Sequence, residues 1–233
     1  MAYDDFEQGE RIKEWLRHNG VAVVVGIVIG LALIFGYRQW NQHKADESAA
    51  AANQYRLIVN AYANDKAKQA GTLTDSLMKN HAQSSYAVFA ATLRAKHYLG
   101  VDKSDKAIAS LTWAAKHAGA GPLKVLSQIR LARAQINADK ASDALDTLKA
   151  IPADAYNGLV AELRGDAQVK LKHDDAAIKA YQSAMAAFDE GSPQQRIVKM
   201  KIQNLGGKPK PTAKAVSHAA TVATPSSSEL QDA

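Results

Sequence analysis

The chain has 233 residues, 29 lysines and arginines against 23 aspartates and glutamates, a formal net charge of +6 and no cysteine. Without cysteine there is no disulfide framework, no thiolate metal site and no cysteine nucleophile. The basic residues are interspersed with acids such as Asp102, Asp139, Asp166 and Asp175, and no basic block with interleaved aromatics occurs, so nucleic-acid binding has no support.

In chain order, residues 1–18 form a short tail carrying Asp4, Asp5, Glu7, Glu10 and Glu14 beside Arg11, Lys13 and Arg17. The uncharged run Asn19–Tyr37, NGVAVVVGIVIGLALIFGY, follows and is apolar on every face of a helix. At a rise of about 1.5 Å per residue it reaches roughly 28 Å, close to the hydrocarbon thickness of a bilayer, which predicts one transmembrane helix. A cleaved signal peptide needs a shorter apolar core closely followed by a small-residue cleavage site. Here Arg38 to Lys44 separate the run from the alanine-rich stretch Ser48–Ala52. Trp15 before the span and Tyr37 and Trp40 after it stand where interfacial aromatics belong. Gly26 and Gly30 form a GxxxG, a candidate contact with another membrane helix. The Lys/Arg bias favours a cytoplasmic amino terminus by one residue, and the acids of the tail resist translocation against a negative-inside potential. The expected topology is single-pass, with the large carboxy-terminal part outside the cytoplasm.

Residues 38–47 read as a juxtamembrane linker, 48–205 as one all-α domain and 206–233 as a flexible tail. Between Ser48 and Leu205 apolar residues recur three and four apart in a sequence rich in alanine, leucine, lysine and glutamine, the signature of amphipathic helices. Breaks at 63–65, 81–84, 100–104, 119–122, 138–139, 152–158, 172–174 and 191–193 divide it into helices paired as antiparallel hairpins. Ser192 and Pro193 form a start signal for a last helix. The segments KAIASL from Lys106, DALDTL from Asp143 and AAIKAY from Ala176 share a small alanine, an adjacent aliphatic and a large apolar residue four positions after the alanine. Ala107, Ala144 and Ala177 bracket a period of about 34 residues, and Ala70 predicts an earlier copy.

These hairpins resemble tetratricopeptide repeats, with Ala95, Ala132 and Gly165 at the small position of the first helix and Leu111, Leu148 and Tyr181 at the large position of the second. The resemblance implies a right-handed superhelix of about four hairpins and a C-terminal helix. The acidic tail with GERIKEWLRHNG, the single span, and ELRGDAQVKLKHDDAAIKAYQSAM from Glu162 to Met185 make the chain similar to the YfgM-type ancillary SecYEG translocon subunits of Gram-negative bacteria. That resemblance implies a single-span inner-membrane protein whose periplasmic repeat domain works beside the SecYEG translocon with the membrane-anchored chaperone PpiD.

No HExxH pair, Gly-rich phosphate loop or GxSxG elbow occurs, and the histidines are widely separated, so neither an enzyme nor a cofactor or metal site is expected. His173, Asp174 and Asp175 fall in a turn, where polar residues belong. Stacked hairpins present the first helix of each pair on a concave surface suited to another chain. Aligning the copies puts Phe89, Leu126 and Leu159 near the start of that stripe, Lys96, Arg133 and Asp166 in its middle, and Leu99, Ile136 and Val169 near its end. The apolar members suit a hydrophobic segment of an exported chain, or else they are core between helices. Lys96 and Arg133 read as a solvated face, since the asparagines of a carboxylate clamp are not at the matching positions. The expected function is a membrane-anchored protein-binding platform. Two alternatives are a self-assembling inner-membrane scaffold and a cytoplasm-facing adaptor.

Overall fold

The computed structural model describes residues 4–209, and among these every regular element is a helix. In chain order they are α1 (Asp4–Ala63), α2 (Ala67–Asn80), α3 (Ser85–Leu99), α4 (Ser104–His117), α5 (Pro122–Asn137), α6 (Ala141–Lys149), α7 (Asn157–Lys170), α8 (Asp174–Ala187) and α9 (Pro193–Asn204). The chain divides into two compact units, 1–53 and 54–233. Residues 1–3 of the expected cytoplasmic tail, and residues 210–233 of the expected flexible tail, lie outside the described residues.

In the first unit, α1 carries the apolar run with side chains such as Val21, Leu33 and Phe35 exposed around the helix. Its most apolar 18-residue window has a mean hydropathy of 2.5 and is not buried at all, and among the described residues this is the one helix long and apolar enough to cross a membrane. A helix apolar on all sides needs an apolar surround, which a bilayer provides. Gly26 and Gly30 leave open space where a Cβ would stand. Residues 38–47, read as a linker, are helical. Their good helix formers and lack of glycine and proline account for this, and Lys44 Nζ lies 3.9 Å from the centre of the Trp40 ring.

The second unit is built by one repeated turn. Asp65, Asp102, Asp139 and Lys172 take left-handed φ values of 57°, 54°, 57° and 60°, spaced 37, 37 and 33 residues apart. Aspartate tolerates this region better than most residues because its short side chain is polar. The next residue in each turn donates its backbone N–H five residues back: Lys66 to Ala61, Lys103 to Tyr98, Lys140 to Gln135 and His173 to Gln168, at 2.8–2.9 Å. Each closes a helix end whose carbonyls would otherwise be orphaned. Ala70, Ala107, Ala144 and Ala177, five residues after each turn, are fully buried where the paired helices cross. The degenerate copy expected at Ala70 is thus a full hairpin, made by the last turns of α1 with α2. Its large position holds Thr74, whose hydroxyl donates to Ala70 O at 2.7 Å and so is satisfied despite complete burial.

Packing is sequential. Each helix from α2 onward lies on the next, and α5 also packs on α7. Val125, Ile129, Ile136, Leu148, Val160 and Leu163 fill the core between α5, α6 and α7. Ser192 Oγ accepts from Gln195 N at 3.2 Å and Pro193 opens α9, as the sequence signal predicted. Through Val198 and Ile202, α9 covers the outer side of α8, which would otherwise be left open at the end of the array.

Candidate functional site

A cavity of about 490 Å³ opens between α3 and α5, with Tyr55 from the last turns of α1 also in its lining. Phe89, Lys96, Leu99, Leu126 and Arg133 all line it. Helical spacing explains the grouping. Phe89, Leu93 and Lys96 follow one another by four and three residues along α3, and Leu126, Arg130, Arg133 and Asn137 do so along α5. Such positions share a face. Alanine and leucine make the floor through Ala95, Leu111 and Ala134, while Phe89 and Leu99 stay 38% and 40% exposed at the rim. Phe89 meets Tyr55 and Tyr86 at ring-centroid distances of 6.1 and 6.2 Å, forming an aromatic wall. A second hollow of about 430 Å³, lined by Val59, Tyr62, His97 and Val101, shares Leu93 and Lys96 with the first. The two adjoin at α3 and together are called the trough.

Four expected groove residues lie elsewhere. Ile136 is 5% exposed and belongs to the core with Val160 and Leu163. It sits about 80° around α5 from Leu126, on the side that α7 covers; the equivalent side of α3 faces the cavity, which is why Leu99 lines it and Ile136 does not. Leu159 packs half-buried against that same core. Asp166 accepts from Tyr181 Oη at 2.6 Å and from Lys201 Nζ at 2.7 Å, so it secures α8 and α9 rather than a ligand. Val169 is 36% exposed near the end of α7, outside the trough. The groove is therefore confined to the α3–α5 region, because α5 packs directly on α7 while a gap separates α3 from α5.

Tyr55, Leu93, Arg130 and Asn137 were not anticipated. Leu93 and Arg130 occupy the same register four residues after Phe89 and Leu126, so extending the stripe by one turn would have found both. Tyr55 was hidden because the first helix of its hairpin is the end of α1. Lys96 and Arg133, read as a solvated face, are solvent-exposed and also border the apolar cavity.

Electrostatically the trough is one-sided. Lys96, Arg130 and Arg133 are solvent-exposed, and among the described residues none makes an ion pair; no carboxylate lines either hollow. Other cations are engaged: Arg94 with Asp75, Lys140 with Asp105, Lys170 with Asp139, and Lys201 with Glu162 and Asp166. Burial works against the Lys201 charge, but the hydrogen bonds it donates to Asp166 and Glu162 outweigh it and hold the ammonium above its usual range. Burial, then the Asp166 hydrogen bond, pushes the Tyr181 hydroxyl upward. Among the described residues no group of three or more His, Asp or Glu is arranged to hold a metal. His173 instead bonds Gln168 Oε1 at 3.0 Å, and Asp174 and Asp175 occupy the first turn of α8, where the helix dipole favours acids.

Comparison with known proteins agrees with this architecture. The chain is 29% identical over 207 residues to the ancillary SecYEG translocon subunit of Haemophilus influenzae, covering 88% of this chain and all of the relative. It is 28% identical over 199 residues to the protein of that name from Escherichia coli, covering 85% and 95% respectively. Against the one from Aggregatibacter actinomycetemcomitans it is 29% identical over 209 residues, covering 88% of this chain and all of the relative. The family model described as a tetratricopeptide repeat-like domain matches residues 13–207, running from the foot of the apolar helix through α9, and the chain belongs to that family.

Proposed function

We propose that this protein is a membrane-anchored, non-enzymatic platform that binds protein chains in the α3–α5 trough beside the Sec translocon. The observation that carries the reading is an apolar cavity rimmed by unpaired cations on a repeat domain tied to a membrane-spanning helix. Tethering raises the effective concentration of the trough near the membrane, so weak contacts suffice. Relatives named as ancillary SecYEG translocon subunits support the location at the translocon. In this reading the amino terminus is cytoplasmic and the repeat domain periplasmic, where it assists exported chains and hands them to a chaperone such as PpiD. Gly26 and Gly30 offer a close approach to another single-span helix.

Photo-crosslinking from positions 96, 99 and 133 in native membranes tests the site. Adducts to translocon subunits, PpiD or exported chains are expected; adducts only to a second copy would replace this reading with a self-assembling scaffold. The absence of cysteine makes topology direct to measure. A single cysteine at the exposed Asp154 should react with an impermeant thiol reagent added outside the inner membrane, and protection there would turn the domain to the cytoplasm.

A further inference from the structure

We infer that the trough selects segments in which carboxylates are interleaved with large apolar side chains, and that Lys96, Arg130 and Arg133 supply the selection. The inference rests on the groove reading above and adds the chemistry of its occupant. Three cations converge on a cavity whose walls are Phe89, Leu99 and Leu126, and no acid of the trough neutralises them. The partition of charge along the array is the second observation. In the repeat register the position of Lys96 and Arg133 is taken in the last hairpin by Asp166, one turn after Glu162. There α9 delivers Lys201 to both acids at 2.7 and 2.8 Å, so the acids of the last hairpin are paired internally while the cations of the middle are not.

A purely apolar segment would leave three cations beside a surface it desolvates, without compensation; a basic segment would be repelled. An acidic and apolar segment satisfies both surfaces. Its apolar side chains enter the cavity, and its carboxylates accept from the two guanidinium groups and the ammonium at the rim, with arginine favouring a bidentate geometry. Asn137, also in the lining, provides a neutral donor for the same oxygens. The occupant assigned is a segment of a partner chain.

The test is fluorescence anisotropy with the full-length chain in detergent micelles and a short fluorescein-labelled peptide of alternating leucine and glutamate. Replacing its glutamates by glutamine should weaken binding about tenfold, and raising the salt should do likewise. Arg133→Ala and Lys96→Ala should each cost several-fold, while Lys103→Ala, an exposed cation outside the trough, should leave binding unchanged. Changing all three together, Lys96→Glu, Arg130→Glu and Arg133→Glu, should prefer the matching lysine peptide, a swap that a variant damaged only in folding cannot produce. Equal affinity for the glutamate and glutamine peptides overturns the charge selection while leaving the groove reading to the crosslinks. Binding that emerges only after deletion of 210–233 overturns the assignment to a partner and gives the trough to the chain's own segment around Glu229, Leu230 and Asp232. Binding that falls as protein concentration rises gives it to a second copy.

Discussion

Gly165→Ala sets two physical effects against each other and so exposes which one governs the repeat. Gly165 lies inside α7, where alanine is preferred over glycine by about 1 kcal/mol, so propensity alone predicts a more stable protein. The structure predicts the opposite. A Cβ at position 165 would overlap the ring of Tyr181, which is 2% exposed and tethered through its hydroxyl to Asp166 at 2.6 Å. The ring also lies 5.5 Å from Lys201 Nζ, so it has little room to retreat. Overpacking of this kind costs about 1–3 kcal/mol, and dragging the hydroxyl off a carboxylate adds about 1.5–3. Subtracting the propensity gain leaves a net loss of about 1.5–5 kcal/mol. Urea unfolding of the full chain in detergent, followed by circular dichroism at the helical minimum, reads this directly. On a Tyr181→Leu background Gly165→Ala should cost little or even stabilise, because the smaller side chain has vacated the contact. A Gly165→Ala protein as stable as the parent, or more so, would refute the close-approach argument.

Lys201→Met leaves Glu162 and Asp166 without their cation and should cost about 1–3 kcal/mol, read by the same unfolding assay. Lys201 and Tyr181 both titrate above their ordinary values of 10.5 and 10.0 in the fold. Their stabilisation is therefore complete below those ordinary values and is lost as pH rises through the folded ones. Alkaline unfolding of the parent should steepen only beyond about pH 10, and Tyr181→Phe should flatten that limb while lowering stability at neutral pH by about 1.5–3 kcal/mol through loss of the Asp166 hydrogen bond. Ser192→Ala removes the cap of α9 and should lower stability by about 1 kcal/mol, seen as a shift in the urea midpoint. Asp105→Ala breaks the pair with Lys140, whose hydrogen bond draws the Asp105 carboxyl below its usual range. Both groups are exposed, and the melting temperature should not move; a clear fall would mean that the turn-to-turn pairs hold the hairpins together.

How far the fold was legible follows from where the sequence patterning is local. Every expected break coincides with a turn, because the Gly, Pro, Asp and Ser residues that punctuate the chain act on their own backbone or the adjacent helix start. Ala107, Ala144 and Ala177 gave the period for a similarly local reason: a crossing of two helices in one hairpin demands a small residue on each copy. The first hairpin was harder, since Thr74 replaces its large apolar residue and its first helix continues from α1. The groove was read only in part. Phe89, Leu126, Lys96 and Arg133 occupy equivalent positions and could be aligned, but Ile136, aligned with Leu99, ended in the core.

Sequence by itself determined the apolar helix, the all-helical domain, its repeat period and the caps, because each depends on neighbours within a few residues or on a recurring spacing. Tertiary structure alone decided which members of the repeated stripe remain open. Equivalent residues meet different neighbours once α5 packs on α7 and a gap is left beside α3. It also decided which charges are spent: Asp166 and Arg133 share a register, yet α9 brings Lys201 to the first and no acid to the second. Burial and pairing are properties of the assembled neighbours, and no periodicity along the chain encodes them.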